Sequence, residues 1–121
     1  MIIKNGLVFQ EDGSFVKKDL YIENGRLTAS EAEVSDKTEY DAEGLKVLPG
    51  LVDVHSHGAF GHDFCDADPE GLKVILKYEK EHGITSYCPT SMTLAKDRLM
   101  DIFATATKVE PDDKLARIIG V

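Results

Sequence analysis

Short apolar runs separated by turn dipeptides fill residues 1–48. Ile2-Ile3, Leu7-Val8-Phe9, Phe15-Val16 and Leu20-Tyr21-Ile22 are set apart by Asn5-Gly6, Asp12-Gly13 and Asn24-Gly25. Asn-Gly and Asp-Gly supply the positive φ of tight hairpins, so a series of short strands is expected here. Leu20 and Ile22 alternate with Tyr21 and Glu23, as on a half-buried strand. Residues 28–40 (TASEAEVSDKTEY) are polar and read as an exposed connection.

Near residue 45 the pattern changes to alternating strand and helix. Val47 to Val54 is an almost continuous apolar run, as expected of a parallel strand buried on both faces. Asp68 can cap a helix that opens with Pro69 and Glu70, and Gly83 can close it. Leu72, Ile75 and Leu76 give this helix an apolar stripe, with Glu79 expected on the opposite side. Ile84 to Cys88 reads as a second strand, stopped by Pro89. Thr93 is expected to cap a second helix, in which Leu99, Ile102, Phe103 and Ala106 follow helical spacing. Glu110-Pro111-Asp112-Asp113 is a turn, and Ile118-Ile119 begins a third strand. Strand-helix-strand-helix-strand implies parallel crossovers. The expected fold class is α/β, with a β-rich part over 1–48 and β/α units over 49–121. A sheet of three such strands has bare edges, which favours instability, oligomers or domain swapping.

At 121 residues the chain can bury a core, yet it is too short for a closed eight-stranded α/β barrel of about 250 residues. The net charge of −8, with no lysine or arginine cluster, argues against nucleic acid and anionic membrane surfaces as partners. No apolar run is long enough to span a bilayer, and Met1-Ile2-Ile3-Lys4-Asn5-Gly6 lacks the marks of a secretory signal. A cytoplasmic location is therefore expected, with Cys65 and Cys88 as free thiols. Neither a Gly-x-x-x-x-Gly-Lys phosphate loop nor a Cys-x-x-Cys pair occurs.

The chemistry concentrates where the Val47–Val54 run ends. Side chains alternate along a strand, so His55 and His57 project from one face while Ser56 points away. Two parallel imidazoles can hold one divalent metal, although two ligands do not close a tetrahedral site. Asp53 shares that alternation; it is either a partner that orients an imidazole or a buried carboxylate satisfied by backbone. His62 and Asp63 follow the loop Gly58–Gly61: His62 is a candidate substrate contact or a solvated side chain, and Asp63 a structural cap. Thr90 ends the second strand and is a further candidate for substrate binding, whereas His82 reads as structural at a helix C-terminus.

The string DAEGLKVLPGLVDVHSHG over residues 41–58 resembles the entry to the first barrel strand of the metal-dependent amidohydrolase superfamily. The continuation Gly58-Ala59-Phe60-Gly61-His62-Asp63-Phe64, with Gly83-Ile84-Thr85 leading to Pro89-Thr90-Ser91-Met92-Thr93, is similar to the N-acetylglucosamine-6-phosphate deacetylase family. That resemblance implies a β-sandwich half followed by the first three strands and two helices of an incomplete TIM-like (β/α)8 barrel. It implies hydrolysis of N-acetylglucosamine 6-phosphate to glucosamine 6-phosphate and acetate, with zinc or Fe2+ bound by His55 and His57, in a homodimer. Ala116-Arg117-Ile118-Ile119-Gly120-Val121 looks like the start of the strand whose end supplies the family's metal-binding glutamate. No catalytic residue is therefore assigned within these residues, and the fragment alone is expected to be inactive. The alternatives are another amidohydrolase acting on a cyclic amide or N-acyl amino acid, or a non-catalytic remnant that serves as a binding or assembly module.

Overall fold

β1 (Ile2–Phe9) organises the first of two units in the computed structural model, which describes residues 1–121 and divides into Met1–Pro49 and Gly50–Val121. β1 pairs antiparallel with β2 (Phe15–Glu23) after a turn in which Gly13 has φ +83°. Asn24 and Gly25, at φ 50° and 73°, form the two-residue turn from β2 into β3 (Arg26–Thr28). Consecutive positive φ values are what a type I′ hairpin turn requires. β4 (Glu39–Asp41) and β5 (Lys46–Val47) then pair parallel with successive stretches of β1.

Asn5-Gly6 is not a turn between strands, as the dipeptide suggested, but an irregularity inside β1. The register with β2 shifts between Ile3 and Gly6, with Asn5 at φ 60°. The Asn5 backbone N–H donates to Asp19 Oδ1 at 2.9 Å, and its side-chain amide to Asp41 Oδ1 at 3.0 Å. A Cβ on Gly6 would lie 2.6 Å from Val47 Cγ2. The dipeptide thus builds a bulge, whose close backbone approach needs glycine. The core here is small: Ile2, Val8, Val34 and Ala42 are buried, while Phe9, Phe15, Val16 and Leu27 are exposed. Val34 gives the largely exposed 28–40 segment a buried anchor.

In the second unit β6 (Leu51–Ser56), β9 (Ile84–Pro89) and β10 (Arg117–Ile118) form a parallel sheet with β9 in the centre. Between β6 and β9 lie a small hairpin, β7 (Gly58–Ala59) and β8 (His62–Asp63), a 3-10 turn over Phe64–Asp66, and α1 (Pro69–Glu81). α2 (Lys96–Ala106) links β9 to β10. Phe64, Leu72, Ile75, Leu76, Tyr87, Ile102 and Ala116 make one core between helices and sheet.

Asp68 caps α1, accepting from the N–H groups of Glu70 and Gly71, and Gly83 follows the helix at φ +86°. Glu79 is not opposite the apolar stripe: it is 4% exposed. Positions 72, 75, 76 and 79 share one helical face, so Glu79 continues the stripe. α2 is capped by Ala95 without a side-chain bond, so Thr93, two residues earlier, does not cap it.

The Val47–Val54 run is divided: Val47 pairs with β1, and the strand of the second unit starts at Leu51. Nor is that strand buried on both faces, since Val52 and Val54 are 55% and 70% exposed. β6 has β9 as its one neighbour, and the helices cover the sheet face that carries Tyr87. No helix is long and apolar enough to cross a membrane.

Candidate metal site

The site grows from an irregularity at the end of β6. Asp53 stands opposite Tyr87 and Ser56 opposite Pro89, so three steps along β6 match two along β9. The extra residue breaks the strict alternation on which the sequence reading rested. Asp53 remains with Tyr87 on the helix-covered side, where its charge helps to raise the pKa of Glu79. Its carboxylate accepts from the His55 backbone N–H at 2.8 Å. Asp53 therefore shapes the strand end through the backbone and holds no imidazole.

His55 and His57 come together as expected of a shared face, with ring centroids 5.3 Å apart and planes at 86°. The partner that orients a ring is one the sequence reading missed: His57 Nδ1 lies 2.8 Å from the Thr90 carbonyl oxygen. A carbonyl only accepts, so Nδ1 carries the proton and Nε2 keeps its lone pair in the neutral ring. A carbonyl on the second nitrogen is a usual support for a metal-binding imidazole. Nothing in the sequence marks a backbone carbonyl as such a partner, because the contact depends on the register of two strands 33 residues apart.

Four further bonds fix the strand ends. The Thr90 N–H donates to the Ser56 carbonyl at 2.9 Å, and the Tyr87 hydroxyl to the same oxygen at 3.1 Å. The Phe64 N–H donates to the His57 carbonyl at 2.8 Å. The Thr90 hydroxyl turns back to the Cys88 carbonyl at 3.4 Å.

His62 is neither free in a loop nor beside the pair. It belongs to β8, and its ring packs over the first turn of α1, where a Cβ on Gly71 would lie 2.7 Å from Nδ1. Asp63 caps the 3-10 turn, accepting from the Cys65 N–H at 2.7 Å while its own N–H donates to Asp66 at 2.9 Å. No group of three or more His, Cys, Asp or Glu residues that could hold a metal ion comes together. The donor set fits half of a zinc-type site, with one imidazole preset as a lone-pair donor and a second beside it. A groove of about 800 Å³ among α1, α2 and residues 107–121 is lined by no histidine.

No family model matches the chain. It is 33% identical over 90 residues to the N-acetylglucosamine-6-phosphate deacetylase of Bos taurus, an alignment covering 67% of this chain and 22% of that protein. A Listeria innocua dihydroorotase is 43% identical over 58 residues, 46% of this chain and 14% of that protein. The crystal structure of N-acetylglucosamine-6-phosphate deacetylase from Pasteurella multocida superposes with a TM-score of 0.75 at 20% identity. That match covers 88% of this chain and 29% of that one. The chain thus spans about a fifth of the length of the curated deacetylase it matches. In sequence and in fold it is a homologue of part of the N-acetylglucosamine-6-phosphate deacetylases.

Proposed function

We propose that these residues form the N-terminal portion of an N-acetylglucosamine-6-phosphate deacetylase and provide two of its metal ligands, His55 and His57. On this reading β6, α1, β9, α2 and β10 are the first units of a (β/α)8 barrel, and the first unit is half of a β-sandwich. The observation that carries it is the His57 ring, fixed through Nδ1 by the Thr90 carbonyl and set edge-on to His55. Both histidines sit at the carboxyl end of a parallel strand, where α/β barrels place their chemistry.

A bound divalent metal, zinc or Fe2+, supplies a Lewis acid for an amide carbonyl and a nucleophile at neutral pH. The chain's own part is to hold the imidazoles. The Thr90 carbonyl fixes the His57 tautomer and the orientation of its ring. The Asp53 carboxylate pins the His55 backbone at the irregularity between Asp53 and Ser56. Of the two candidate substrate contacts, Thr90 adjoins His57, whereas His62 is set back over Gly71. With no third ligand beside the pair, these 121 residues alone bind metal weakly and release no acetate. The intact enzyme acts as a cytoplasmic homodimer.

Zinc titration of the chain tests the reading. Weak binding that disappears in both His55→Ala and His57→Ala is expected; binding indifferent to both substitutions overturns it. The Listeria dihydroorotase match favours a second reading, hydrolysis of a cyclic amide. Protection of the chain by dihydroorotate, and not by N-acetylglucosamine 6-phosphate, in equilibrium binding would select it.

A further inference from the structure

Arg98 stands in the first turn of α2, where the positive end of the helix dipole disfavours a cation. It pairs with no carboxylate. Its Nη2 donates instead to two backbone carbonyls, Cys65 at 2.7 Å and Asp66 at 3.2 Å. Those carbonyls close the 3-10 turn Phe64–Asp66, after which Ala67 adopts φ 57°. Unsatisfied carbonyls at the end of a helical turn attract a cation, which accounts for the placement of Arg98.

The same turn touches both strand ends of the site. The Phe64 N–H holds the His57 carbonyl at 2.8 Å, and Cys65 Sγ accepts from the Met92 N–H at 3.2 Å, just beyond Thr90. His57 is thereby gripped on its backbone by the turn and on its ring by Thr90. We propose that Arg98 is a positioning residue for His57: it locks the Phe64–Asp66 turn, and the turn sets the imidazole against the Thr90 carbonyl. For metal binding this rests on the function proposed above; for the ring's orientation it does not.

The competing account is that the buried Phe64 ring, 1% exposed, holds the turn unaided. Three proteins separate the two: the unaltered chain, Arg98→Ala and Arg98→Lys. The readouts are amide hydrogen exchange at Phe64, the nitrogen NMR signals of the His57 imidazole, and zinc affinity. In Arg98→Ala we expect faster exchange at Phe64, a His57 ring averaging between tautomers, and zinc affinity lower by about ten-fold, the usual effect of losing an outer support. Arg98→Lys, which keeps one donor and the charge, recovers most of each. Arg98→Gln replaces the alanine variant if that one does not fold. A lower melting temperature with the Phe64 and His57 signals unchanged overturns the proposal. Should the unaltered chain show no histidine-dependent zinc binding, the metal reading falls, and the Phe64 and His57 signals still decide the role of Arg98.

Discussion

Glu79 of α1 is buried with Asp53 of β6 as its neighbouring negative charge. Burial raises the Glu79 pKa above 4.5, the Asp53 charge pushes the same way, and His82 opposes them. Between 4.5 and the raised value, the folded chain holds a proton that the unfolded chain has released. The contribution of Glu79 is thus fully present below 4.5 and is lost as the pH rises through its folded pKa. Glu79→Gln should remove this loss, leaving the two proteins' pH–stability curves close below 4.5 and separated above it. Urea denaturation across pH 4 to 8 measures both; parallel curves would show that Glu79 does not govern the dependence.

The first unit carries the opposite sign. Hydrogen bonds from Ser14, Ser35, Thr38 and Asn5 lower the pKa values of Asp12, Glu23, Asp36 and Asp41 respectively. Their stabilisation is complete above the ordinary carboxylate values and fades as the pH falls through the lowered ones. Acidification is therefore expected to loosen residues 1–49 before residues 50–121. Amide exchange at Ile2 and at Ile75, one buried residue in each unit, follows the two separately. Simultaneous loss of protection would contradict the division of labour.

The two helices differ at their starts, and the difference is measurable. Asp68 accepts from two N–H groups of α1, so Asp68→Ala is expected to cost about 1 kcal/mol in chemical denaturation. Ala95 opens α2 with extended backbone, φ −59° and ψ 148°, and no side-chain acceptor. Ala95→Asp should add about 1 kcal/mol by satisfying a free N–H there. If Ala95→Asp is neutral, the first turn of α2 finds its partners in solvent.

Local chemistry explains what could be read from sequence. The α1 boundaries follow from Asp68, Pro69 and Gly83, each of which acts on its own neighbourhood. The His55–His57 pair was read from two-residue spacing at a strand end, and the two rings do lie together. The Asn5-Gly6 bulge and the transfer of Val47 to the first sheet were illegible because strand pairing partners, not propensity, decide them. The Thr90 carbonyl and Arg98 contacts involve backbone oxygens 33 residues from their donors, and no residue type signals them. Glu79 was expected opposite the stripe because it is charged, although its spacing from Leu72, Ile75 and Leu76 puts it on the buried face.

Gly50 precedes β6, and a Cβ built on it would collide with the side chain of Thr85 on β9. Gly50→Ala must push the strands apart or rotate Thr85, an overpacking that typically costs about 1–3 kcal/mol. Gly50→Ala with Thr85→Ala is expected to recover part of the loss, since two of the three colliding atoms are then gone. Thermal denaturation of the single and double variants gives the coupling. Because Leu51 and Val52 pair with Ile84 and Ser86, the damage should reach the strand that carries the histidines.

β6 also exposes Leu51, Val52 and Val54, at 57%, 55% and 70%, beside an edge that no strand covers. An apolar strand with free backbone donors and acceptors is a template for pairing with another chain. The 121 residues are therefore expected to self-associate as concentration rises. A charge on that strand opposes pairing, so Val54→Lys should increase the monomer fraction in sedimentation velocity. Val54 is already 70% exposed, so the substitution removes little buried area and should leave the melting temperature close to that of the unaltered chain at low concentration. Self-association that persists unchanged in Val54→Lys would move the contact to the other exposed apolar side chains, Phe9, Phe15, Val16 and Leu27 of the first unit.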